Sequence, residues 1–174
     1  MPRQNSGKPP VLFNREVDRE IPDQLVSFWR GGDGRTKWNP LLRRPFEPAE
    51  KAALEIRIAE LECGTAPFDD CDRNRLKIEI DGMLGGYTTM RRADRESAEV
   101  LSASYLWVVQ DYPAWAIRAV CRSIRTGKVG NPSFCPNEAE FARLIAERVQ
   151  PFAERLRITK ELLQAPIDAD GLHQ

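Results

Sequence analysis

From Pro48 onward, apolar residues recur three and four positions apart, and the segments they define are separated by glycines, prolines and capping residues. Stripes of that spacing, with no strand-period segment beside them, are buried by packing helix on helix. The first helix takes Pro48 into its opening turn, where the missing N–H costs nothing, carries Leu54, Ile58 and Leu61, and stops at Gly64. Asp69 to Asp72 offer caps for a second, with Leu76, Ile80, Met83 and Leu84 inward and Gly85-Gly86 at its end. The third is expected to start at an Asp94 cap and run to about Gln110, with Ala98, Leu101, Tyr105 and Val108 on one face. Pro113 opens the fourth, which turns Ile117, Val120, Cys121 and Ile124 inward and ends at Gly127. The fifth starts near Pro136, with Glu138 and Glu140 well placed for the helix dipole. Its stripe is Phe141, Leu144, Ile145, Val149, Phe152, Leu156 and Leu163, and Pro151 is expected to kink or split it.

The pattern predicts an all-α fold: a small bundle of about five helices over residues 47–165, after an irregular arm (1–46) and before a disordered tail (166–174). The arm holds Pro2, Pro9, Pro10, Pro22, Pro40 and Pro45 and the cluster Gly31, Gly32 and Gly34. It also holds Phe13, Phe28, Trp29, Trp38 and Phe46, too many aromatics for a plain linker. Two readings stand open: the arm wraps its own domain, or it docks on a partner.

With 41% hydrophobic and 30% charged residues, the 174-residue chain has the balance of a soluble globular protein. Its formal net charge is zero, so any attraction for nucleic acid must come from a local patch. No run approaches the roughly 18 apolar residues of a membrane span. Met1 to Pro10 is polar, without the apolar core of a secretion signal, so the expectation is a cytoplasmic protein with no membrane partner. Cys63, Cys71, Cys121 and Cys135 form no CxxC pair and read as small hydrophobes in a reducing compartment. His173 is the only histidine and lies in the tail, which argues against both a zinc site and a histidine-based triad. Thr126-Gly127-Lys128 lacks the rest of a phosphate loop, and Gly82, Gly85 and Gly86 follow no strand. The chain therefore reads as a non-catalytic binding protein without a cofactor.

Two surfaces stand out as binding candidates. Trp115, Arg118, Arg122 and Arg125 fall on one side of the fourth helix at about 100° per residue, and Lys128 follows. Guanidinium groups beside an indole can bind phosphates, stack on bases or meet an acidic protein. The alternative is an exposed basic face whose stems cover the core, with Trp115 half-buried. Arg91, Arg92 and Arg95 could extend this patch. Beyond Pro151, Arg155, Arg157 and Lys160 alternate with Glu154 and Glu161, and Leu156, Ile158, Leu162 and Leu163 offer two apolar edges. That segment is a helix-in-groove ligand, a dimer seam or simply the outer helix of the bundle.

Residues 111–149 join a proline-led helix rich in alanine, arginine and tryptophan to a short loop and the element Phe134-Cys135-Pro136-Asn137-Glu138-Ala139-Glu140-Phe141. This stretch resembles small replication proteins of phages and prophages, in particular the helicase loader and inhibitor family. The likeness covers under half of the chain, and Ser133-Phe134-Cys135 stands where the family has a double-proline form. The resemblance makes Phe134 a staple-type anchor and Pro136 the first-turn proline. It implies a helical adaptor that binds a ring-shaped replicative DNA helicase to load or inhibit it, with residues 150–165 as the contacting part. The other expectations are a nucleic-acid-binding module using Trp115, Arg118, Arg122, Arg125 and Lys128, and a phage-encoded inhibitor of another host protein.

Overall fold

The computed structural model describes residues 9, 26–30, 36–87, 95–131 and 133–167. Among the described residues five α-helices follow the capped periodic segments: α1 is Pro48–Thr65, α2 Asp70–Leu84, α3 Arg95–Val108, α4 Ala114–Arg125 and α5 Glu138–Leu163. The fold is all-α, with one antiparallel ribbon ahead of the helices, β1 Val26–Arg30 and β2 Thr36–Leu42. The expected Asp94 cap and the cations Arg91 and Arg92 lie outside the described residues.

Helix starts are set locally. Before α1 the Glu50 carboxylate accepts the Glu47 N–H at 2.7 Å, and Arg44 holds the same carboxylate with two bonds of 2.7 and 2.8 Å. Asp69 caps α2 by accepting the Asp72 N–H at 3.1 Å. Asn137 accepts the Glu140 N–H at 2.8 Å ahead of α5. After α4, Gly127 takes φ +67, a conformation that strains any residue with a Cβ.

The chain divides into two compact units. One holds Pro9 and Cys63–Pro151; the other joins the described residues of Pro10–Glu62 with those of Phe152–Gln174. In the first unit α2 packs against α3 and α4 and buries the predicted Leu76, Ile80, Met83 and Leu84. The predicted inward residues of α4 are buried too, and so are Ala114, Trp115 and Ala116. Along α4 only Arg122 and Arg125 are exposed. The buried face of α3 differs from the expected one: it is Ser102, Tyr105 and Leu106, continued by Val109 just past the helix, while Ala98 is exposed and Leu101 and Val108 are half-buried. Tyr105 is common to both faces and anchors the helix: its O–H donates to the Pro136 carbonyl and its ring lies 5.4 Å from that of Phe141.

In the second unit Leu42, Leu54 and Leu162 form a buried cluster, with Phe46, Ala53, Leu163 and Ala165 packed against it. Leu42 and Phe46 come from the expected arm, so no domain boundary falls at residue 46. The irregular reading of that arm is corrected by the ribbon, whose register pairs Val26 with Leu42 and Phe28 with Pro40. Short strands, a proline inside β2 and an irregularity between Phe28 and Arg30 hide the period-two signal. The tail is corrected at its start: the Leu42 N–H donates to the Pro166 carbonyl at 2.9 Å, and Ile167 bridges Leu42. On α1 the inward stripe is Leu54, Arg57 and Leu61, with Ile58 only half-buried. Arg57 is 1% exposed and pairs with Glu60 at 3.2 Å. Pro151 does not split α5, which runs unbroken through it; the division between the units falls at that residue.

Candidate interaction surface

The expected basic face of α4 is largely engaged within the Cys63–Pro151 unit. Trp115 is 6% exposed, and its indole N–H donates to the Gly64 carbonyl at 2.6 Å. Its ring is therefore closed to a stacking base, which corrects its assignment to a binding face. The Arg118 guanidinium lies 3.7 Å from the Asp72 carboxylate, with both side chains largely buried, and Arg125 lies 3.8 Å from Glu79. Both acids belong to α2, which packs on this side of α4. Of the five expected residues, Arg122 and Lys128 alone are exposed without an ion-pair partner among the described residues. Alternation along α4 did not show that a second helix would cover its polar side.

The C-terminal candidate is likewise occupied. Leu162 is 2% exposed in the cluster with Leu42 and Leu54, and Leu163 packs against it. Those two residues are corrected from partner surface to core. Arg155, Leu156 and Ile158 are half-buried. Arg157 is tied to Glu154 at 2.6 Å and to Glu161 at 2.5 Å, and Lys160 meets Glu62 at 2.6 Å. The two carboxylate bonds hold the Arg157 guanidinium above its usual range, and Arg157 holds Glu154 below the usual carboxylate range.

An apolar stripe that the sequence reading passed over stands free on α3. Trp107 is 69% exposed, Val100 is 67% exposed, and Ala103 between them is also exposed. The signal was present: at about 100° per residue these three lie within roughly 40° of the direction opposite Tyr105. A tryptophan on a helix's polar face is what the search for inward stripes discards. Phe134, expected to act as a staple, is 71% exposed. The element it belongs to is anchored instead by Tyr105 on Pro136 and by Ser104, whose hydroxyl donates to Glu138 at 3.0 Å.

Burial raises two thiols and two phenols of this unit. It pushes the Cys121 thiol up to about 12 and also raises the Cys135 thiol and the Tyr87 and Tyr105 phenols. Cys121 and Cys135 are thus held as thiols at neutral pH, the opposite of nucleophile activation. Among the described residues no group of acids, histidines and cysteines is arranged to hold a metal ion. No described helix is long and apolar enough to cross a membrane. The fold and surface define an all-α chain with an exposed aromatic helix face. Comparison with family models, with curated proteins and with solved structures found no match.

Proposed function

We propose that this chain is a non-catalytic replication adaptor that binds a replicative DNA helicase to load or inhibit it, using α3 as its docking element. The observation that carries the docking role is the Val100–Ala103–Trp107 stripe, exposed at helical spacing on a helix whose other face is anchored by Tyr105. A rigid helix bearing anchors at i, i+3 and i+7 is suited to a partner's apolar groove, and tryptophan is the residue most enriched at binding hot spots. The choice of partner rests on the resemblance of residues 111–149 to the helicase loader and inhibitor family.

Size-exclusion chromatography with a purified hexameric replicative helicase tests the reading. Co-elution is expected at micromolar concentrations. Trp107→Ala should weaken the complex on the order of thirtyfold, the equivalent of about 2 kcal/mol, while leaving the fold intact. A wild-type chain that fails to co-elute removes the helicase. A complex that Trp107→Ala leaves unchanged removes α3 as its docking element.

A further inference from the structure

A recess lies between α4 and α5. It is an open groove of about 230 Å³ lined by Val120, Ser123, Val129, Leu144, Glu147 and Arg148, all within the Cys63–Pro151 unit. Val120, Val129 and Leu144 supply its apolar surface, and Ser123 a hydroxyl. The volume is below the roughly 300 Å³ at which small-molecule pockets begin, and it is of the size that takes one apolar side chain.

The charges at the groove do not cancel. Arg143 neutralises Glu147 through a direct guanidinium–carboxylate contact. Arg148, on the lining, is exposed and has no ion-pair partner among the described residues. Lys128, also exposed and without such a partner, directly precedes the lining residue Val129. The turn that carries them is fixed by its backbone: the Lys128 N–H donates to the Ser123 carbonyl at 2.9 Å, and Gly127 and Gly130 both take positive φ. One cation on the lining and a second carried by the adjoining turn thus accompany an apolar floor.

We propose that this groove is a docking site for an acidic peptide segment of a partner protein, with one apolar side chain seated on Val120, Val129 and Leu144 and flanking carboxylates facing Arg148 and Lys128. The site needs no contribution from α3, so it stands or falls independently of the helicase reading. Opposite charges at its border set the sign of the ligand and its salt dependence.

The probe is a short peptide in which one leucine is flanked on both sides by aspartates and glutamates. It is titrated into the full-length, isotope-labelled chain while amide NMR shifts are followed. Saturable shifts are expected at Ser123, Gly127, Val129, Gly130 and Leu144, with affinity falling as salt rises. A peptide with alanine at the anchor, and one with lysines in place of the acids, should each bind at least tenfold more weakly. Arg148→Glu and Lys128→Glu change exposed side chains, leave the fold intact and should together weaken the acidic peptide at least tenfold. The proposal is overturned by absence of saturable shifts, by equal binding of the lysine peptide, or by an affinity that the double charge reversal leaves unchanged.

Discussion

Replacing Asp72 with asparagine is expected to destabilise the Cys63–Pro151 unit by about 2 kcal/mol. The Asp72 carboxylate lies 3.7 Å from the Arg118 guanidinium, and the two side chains are 8% and 13% exposed. At that separation, and at an effective dielectric constant of about 20, the attraction is roughly 4 kcal/mol before the cost of removing both ions from water is subtracted. Asparagine keeps the volume of the side chain, so no cavity adds to the loss, and the backbone N–H of residue 72 keeps its bond to the Asp69 cap. What remains is a largely buried guanidinium deprived of this carboxylate.

Urea denaturation followed by tryptophan fluorescence reads the effect. With a slope of about 2 kcal/mol per molar, the midpoint should fall by about 1 M. A double-mutant cycle with Arg118→Met isolates the pair, and a coupling of about 1–2 kcal/mol is expected. Asp72→Asn should also leave DNA binding unchanged, because Arg118 faces α2. Coupling under about 0.5 kcal/mol, together with a gain in DNA affinity and a steeper salt slope, would refute the account and return Arg118 to a nucleic-acid face.

Three further outcomes follow from the same geometry. Trp115→Phe removes the indole donor to the Gly64 carbonyl and should cost about 1–2 kcal/mol in chemical denaturation; a change in DNA affinity without loss of stability would contradict its structural role. Leu162→Ala should cost about 2–5 kcal/mol because that side chain sits in the cluster with Leu42 and Leu54, whereas a free partner-binding leucine would change stability by less than about 0.5 kcal/mol. Alkylation of the native protein by iodoacetamide near pH 8, read by mass spectrometry, should label the exposed Cys71 and spare Cys121. The Cys121 thiol, raised to about 12 by burial, ionises only well above that pH, and denaturant should abolish the protection.

The sequence by itself determined the helices. Pro48, Asp69, Pro113 and Asn137 act on their own first turns, glycines act on their own last turns, and apolar period follows from 3.6 residues per turn, so all of this is written locally. The inward faces of α2 and α4 were legible for the same reason. Which polar side chains stay available was decided only in three dimensions. A helical wheel places Arg118 and Arg125 opposite the α4 core, but it does not show that α2 brings Asp72 and Glu79 to meet them. Nor does it show that Leu42, more than a hundred residues away in sequence, covers Leu162. The ribbon was hidden because its strands are short, its register is irregular and a proline interrupts its pattern. Trp107 became visible once the packed structure showed which face of α3 is buried and which is left exposed. Local chemistry chose where each helix begins and ends; packing between helices chose which of their surfaces remain for a partner.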